Sequence, residues 1–265
     1  HILSRLRAQF DDPLLVRTTR GMEPTPRALA LIDPVRQALR QVHQVFNAQA
    51  EFDARTSEHA FSIRMGDMNE FLVLPSILLA LEKEAPSISA TIHHLTPAAT
   101  VKALDSGEVD FAVSARLSHS KSIRSLDLLQ DKMVCILRKD HPFARRPLTA
   151  GAFLKLRHIN FVQALADTRF ADGDAPHRHP RRNVVLNIPH WLAAPAIVES
   201  TDMVAAISER MARRVNDRGQ FVVRPLPIGN RELVWRLYWH RRYDTQPAHV
   251  WMRDLVRRAC AGLNA

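Results

Sequence analysis

Apolar and polar positions alternate differently in three stretches of the chain. Ile2, Leu3, Leu6 and Phe10 share one helical stripe, with Arg5, Arg7 and Gln9 off it, which predicts the end of a helix over 1–10. Asp11-Asp12-Pro13 stops that helix. Leu14–Arg17 and Met22-Glu23 flank Thr19-Arg20-Gly21 and predict a short hairpin, because glycine tolerates the positive φ of such turns. Thr25-Pro26 is a helix start, a capping hydroxyl followed by proline at the first helical position. Behind it Leu29, Ile32, Val35, Leu39, Val42 and Phe46 recur at steps of 3, 3, 4, 3 and 4. That is a coiled-coil seam, which one helix cannot bury alone, so a dimer is expected. Pro34 should kink this helix. A polar run, Asn47–His59, reads as a linker.

From Phe61 the pattern becomes strands alternating with helices. Phe61–Met65, Ser87–His94 and Val109–Ser114 read as strands, and Asn69–Glu84 and Ala98–Ser106 as helices, with a break near Pro75 and a stop at Gly107. This βαβαβ order implies parallel strands with right-handed crossovers. A second set follows. It has a strand at Met133–Arg138, a turn at Asp140-His141-Pro142, a helix near Thr149–Leu156 and strands at His158–Val162 and Asn183–Ile188. A helix is expected from about Ala193, strands near Val222 and Trp235, and a terminal helix over Ala248–Gly262. The expected architecture is two α/β lobes with a cleft between them.

Length and composition sharpen this picture. The 265 residues suit two or three compact units, and 46% apolar with 24% charged residues is ordinary for a globular chain. The longest apolar run, Phe71–Leu81, is 11 residues and contains Pro75 and Ser76, too short and broken to span a bilayer. Cys135 and Cys260 lie far apart without a CxxC, so neither a disulfide framework nor a zinc knuckle is expected, and a reducing cytoplasm is. The net charge of +10 suggests an anionic partner. Residues 1–50 hold seven basic against four acidic side chains, 51–130 seven against 11, and 131–265 23 against 12. Most of the positive charge therefore lies in the C-terminal half.

Several chemistries are excluded. The eight glycines are nowhere closer than ten residues, so GxGxxG, P-loop and GxSxG motifs cannot occur. There is no HExxH, and His93-His94 and His177-x-His179 lack an acidic or cysteine companion at ligand spacing. No cofactor, no metal and no catalytic residue is expected.

Residues 1–46 resemble the end of a LysR-type winged helix-turn-helix. The match runs through His1-Ile2-Leu3-Ser4-Arg5-Leu6-Arg7, Asp12-Pro13-Leu14-Leu15-Val16-Arg17 and Thr25-Pro26-Arg27-Ala28-Leu29, in order. The family's sensing domain is matched by Gly66-Asp67 through Leu74-Pro75, by Ala85-Pro86, by Leu104 through Ala112 and by Met133 through Pro142. Ile188-Pro189-His190-Trp191, Trp239 through Tyr243, and Pro247-Ala248 with Trp251-Met252-Arg253 resemble the branch of nodulation and aromatic-acid regulators.

The resemblance implies a Rossmann-like, periplasmic-binding-protein-like effector domain behind a partial winged helix-turn-helix and a linker helix. Residues 1–24 would be the end of the DNA-binding domain, 25–58 the dimerisation helix and 59–265 the effector domain. Lobe I would comprise 59–131 and 232–265, and lobe II 132–231. The family's first two helices and the front of its recognition helix, which read base edges, have no counterpart here. Arg5, Arg17, Thr18 and Arg20 remain as expected phosphate contacts, which position a protein without reading sequence. The stretch Asp167–Arg182, loop-like in composition, departs from the family's amphipathic helix at that place.

By the same resemblance a small effector, an aromatic or other small organic acid, sits between the lobes. Asp67, Met68, Asn69 and Thr96 are expected to face it from lobe I, and Phe161, Val162, Gln163, His190 and Trp191 from lobe II. A helix start offers free N–H groups to an anion, tempered here by Asp67 and Glu70. The expected partners are DNA, this effector and further copies of the chain, as dimer or tetramer, with no membrane. A solute-binding protein would share the two lobes but needs no seam, and an enzyme would need motifs that the sequence lacks.

Overall fold

The computed structural model describes residues 2–18, 21–47, 52–117, 120–162, 182–228 and 232–263. It divides into two compact units, 1–51 and 52–265.

The first unit contains α1 (Ile2–Phe10), the hairpin β1 (Leu15–Thr18) and β2 (Gly21–Pro24), and α2 (Pro26–Asn47). The strands pair antiparallel, with Arg17 opposite Met22 and Thr18 opposite Gly21. Gly21 has φ +119°, the positive value the turn requires. Thr25 starts α2 as expected, its hydroxyl oxygen accepting the Ala28 N–H at 3.0 Å. The same hydroxyl donates to Asp12 Oδ1 at 2.7 Å, and the Leu14 N–H donates to that oxygen too. This ties the stop of α1 to the start of α2. The Thr25 hydroxyl holds the Asp12 carboxyl below its usual range. The helix α2 runs unbroken through Pro34.

The second unit holds β3 (Ala60–Arg64), α3 (Asp67–Glu84), β4 (Ser89–His93), α4 (Pro97–Ser106), β5 (Phe111–Ser114), β6 (Ile123–Arg138), α5 (Ala150–Lys155) and β7 (Arg157–Phe161). It continues with β8 (Val184–Ile188), α6 (Ala194–Ser200), β9 (Met203–Ser208), α7 (Glu209–Val215), β10 (Phe221–Pro225), β11 (Glu232–His240) and α8 (Pro247–Ala261). A 3-10 turn, Trp191–Ala193, leads into α6.

The sheet order is β4-β3-β5-β11-β6-β9-β7-β8, with β10 also on β6. The βαβαβ expectation holds for β3, β4 and β5, which are parallel. The 16-residue β6 makes two sheets of one. Its first part, through Lys132, pairs antiparallel with β11 in lobe I, and Met133 onward pairs with β9 and β10 in lobe II. Both sheets are therefore mixed rather than parallel. The sequence reading starts this strand only at Met133, because Asp127, Gln130, Asp131 and Lys132 break the apolar run. An antiparallel strand with one solvated face tolerates such residues. It also passes over β9 and α7, a six-residue apolar strand joined without a spacer to a seven-residue helix. Ser208 marks the junction, its side chain accepting the Met211 N–H at 3.1 Å.

The core of this unit runs through both lobes. Phe61, Ile63, Phe111 and Val113 fill it from lobe I, and Ile136, Ile159, Phe153 and Ile207 from lobe II. Burial pushes the Cys135 thiol up to about 12 and Cys260 to about 11, so both pack as small apolar groups. Gly107 ends α4 in the left-handed region at φ +79°. No helix among the described residues is long and apolar enough to cross a membrane. The expected loop 167–182 lies outside the described residues up to 181.

Candidate functional site

In parallel α/β sheets the crevice beyond the carboxyl ends of the strands is where ligands bind. Here Arg64 ends β3, His93 ends β4 and Phe161 and Ile188 end β7 and β8. The chain leaving each of these strands supplies the expected effector residues: Asp67–Asn69 after β3, Thr96 after β4, Val162 after β7 and His190-Trp191 after β8.

The lobe I side starts from the first turn of α3, whose N-cap is Gly66. Met68 is buried in the core. Asn69 is buried as well, and its Nδ2 donates to the Val113 carbonyl at 3.2 Å. Arg64 reinforces that corner. Its Nε and Nη2 donate to the Leu95 carbonyl at 3.1 and 2.9 Å, and Nη1 reaches the Val113 carbonyl at 3.5 Å. Together the two side chains tie the ends of β3 and β5 to the loop after β4. Thr96 caps α4, its hydroxyl oxygen accepting the Ala99 N–H at 3.3 Å. Asp67 points the other way, its Oδ2 accepting the Leu192 N–H at 2.9 Å from lobe II.

On the lobe II side Phe161 and Trp191 stack, ring centroids 3.8 Å apart and planes 15° from parallel. Phe161 is buried and Trp191 half-buried. Val162 is exposed, with its N–H donating to the Ile188 carbonyl at 3.0 Å. His190 is exposed, and its ring stands edge-on to His94 of lobe I at 6.3 Å between centroids. His94 Nε2 lies 2.7 Å from Glu70 Oε1. Gln163 lies outside the described residues.

The structure thus brings Asp67, His190, Trp191 and Phe161 to one inter-lobe region, while Met68 and Asn69 face the lobe I interior. Sequence reasoning did not assign Arg64 or His94 to the site, and it read Glu70 only through its charge at the start of α3. His94 was legible only as half of an incidental His-His pair; its place just past the end of a parallel strand was the signal. Among the described residues no group of three His, Cys, Asp or Glu side chains is arranged to hold a metal.

In the first unit, Arg5 on α1 and Arg17 on β1 are exposed. Thr18 is described in its backbone alone, and Arg20 lies outside the described residues. On α2, Leu29, Ile32, Val35, Leu39 and Val42 are all exposed, between 37% and 55%. Among the described residues of this unit none buries these five side chains; Phe46 is within the helix, its side chain outside the described ones.

The profile of the LysR substrate binding domain matches residues 55–261. The HTH-type transcriptional activator NahR of Pseudomonas putida is 32% identical over 254 residues, 96% of this chain and 85% of that protein. The HTH-type transcriptional activator NagR of a Ralstonia species is 31% identical, over 96% and 84%. The crystal structure of the probable transcriptional regulator PA0477 from Pseudomonas aeruginosa superposes with a TM-score of 0.83 at 28% identity, covering 97% of this chain and 85% of that one. The two lobes joined through β6 and these matches agree: the chain belongs to the LysR family of transcriptional regulators and contains its effector-binding domain.

Proposed function

We propose that this regulator is switched by a small organic acid, aromatic in character, bound between the lobes in the cytoplasm. The observation that supports this most directly is the Phe161–Trp191 stack at the lobe II strand ends, with His190 and His94 beside it. Trp191 offers an aromatic face, and the imidazoles donate or accept hydrogen bonds. Thr96, at the start of α4, stands on the lobe I side. An effector that prefers one inter-lobe arrangement shifts that equilibrium by its differential affinity, without any chemistry on the effector. Residues 25–58 pair two copies through the α2 seam, and residues 1–24 present Arg5, Arg17, Thr18 and Arg20 to DNA phosphates. The movement of the lobes is relayed through the paired helices to the spacing of two DNA-binding ends.

The test is salt-titrated binding to the DNA upstream of the protein's own gene. It is run on this chain and on a version with the family's two opening helices supplied ahead of it. Specific binding by the extended version at about 0.15 M salt, altered by an aromatic acid, supports the proposal. Binding at the non-specific level by both defeats it. Specific binding that no organic acid alters defeats the effector reading alone.

A further inference from the structure

The 3-10 turn Trp191–Ala193 is opened by His190, which makes no side-chain capping bond of its own. A helical start leaves N–H groups unsatisfied, and the usual remedy is a side chain just before it. Here the remedy comes from the other lobe. The Leu192 N–H donates to Asp67 Oδ2 at 2.9 Å, across 125 residues of sequence. One helical turn along α3, Arg214 of α7 in lobe II donates through Nη1 to the Phe71 carbonyl at 2.8 Å. Its guanidinium carbon sits 4.6 Å above the centre of the Phe71 ring. Between these two contacts Glu70 lies against His94, which faces His190. The opening turn of one helix, Asp67–Phe71, is thus gripped from two separate elements of lobe II.

We propose that this turn is a built-in latch. Asp67 caps the lobe II turn from lobe I and holds the cleft closed in the absence of any small molecule. Three physical points support it. A carboxylate accepting a backbone N–H makes a stronger bond than a neutral pair. The contact is exposed to solvent, which keeps the latch weak enough for a binding event to release. A second lobe II contact, Arg214 on the Phe71 carbonyl and ring, grips the same turn of α3, so the Asp67 bond does not act alone. This does not depend on which molecule binds the cleft. It assigns Asp67 to the lobe contact rather than to direct recognition of an effector.

The test uses the whole chain with no small molecule added. Amide exchange at Leu192 is measured in wild type, Asp67→Ala and Asp67→Asn. The latch requires exchange to rise roughly 3- to 10-fold in Asp67→Ala. It must fall between wild type and Asp67→Ala in Asp67→Asn, whose side-chain oxygen still accepts through a weaker, neutral bond. If Asp67→Asn exchanges as fast as Asp67→Ala, the carboxylate acts through its charge at the start of α3, and the latch is refuted. Leu192→Pro removes the donor while leaving α3 untouched, and it serves if Asp67→Ala does not fold. Spin labels on Leu79→Cys and Val185→Cys, both exposed positions on opposite lobes, then report the gap; the buried native cysteines do not compete. Longer and broader distances in Leu192→Pro support the latch, and an unchanged distribution overturns it.

Discussion

Trp191 lies flat on Phe161, 3.8 Å between ring centroids, at the point where β7 and β8 both end. The stack fixes an aromatic wall on lobe II without a hydrogen bond. Trp191→Ala should cost about 1–3 kcal/mol of stability in urea unfolding and remove the response to an aromatic acid. Trp191→Phe should retain most of the stability. A Trp191→Ala protein that still responds in a reporter assay would take this wall out of the effector site.

Gly107 and Tyr243 make a second tight pair. A Cβ on Gly107 would stand 2.9 Å from Tyr243 Oη, and the backbone φ of +79° is unfavourable to any side chain. Both effects act in the same direction, so Gly107→Ala should destabilise by about 1–3 kcal/mol. Thermal melting of the two proteins side by side checks this.

The turn after β6 carries a pH dependence. His141 is buried, and burial pushes its pKa below the ordinary imidazole range. Its Nδ1 accepts the Phe143 N–H at 3.0 Å, which a protonated ring cannot do. The folded pKa lies below the unfolded value of about 6.5, so this stability is present above that value and is lost as pH falls through the folded one. The urea midpoint should be lower at pH 5.5 than at pH 7.5. His141→Asn, which keeps an acceptor for an N–H two residues on, should flatten the difference.

The seam on α2 predicts the assembly state. Leu39 is 55% exposed and Val35 43%. Replacing both with glutamate places charge in the middle of the expected helix pair. Sedimentation should then report the 30.1 kDa chain alone, with melting of the 52–265 unit unchanged. Persistence of the wild-type mass would place the pairing surface elsewhere.

The sequence by itself determined the elements whose cause is local. Thr25-Pro26 starting α2, Gly21 in the hairpin turn, Gly107 stopping α4, the helix near Thr149 and the parallel β3, β4 and β5 all follow from capping chemistry, sterics and periodicity. His190, Trp191 and Phe161 were candidates through the resemblance to the LysR family, not through a local rule. The tertiary structure decided what depends on partners far apart in the chain. The polar residues of β6 form a strand only because β11, about 100 residues later, pairs with them. Met68 and Asn69 face inward because Val113 and the core lie there, although their neighbour Asp67 faces lobe II. His94 meets His190 only through the tertiary fold, 96 residues away along the chain. Local rules act through backbone geometry and short hydrogen bonds; the direction of each side chain at the cleft is set by which distant backbone N–H or ring the fold brings to it.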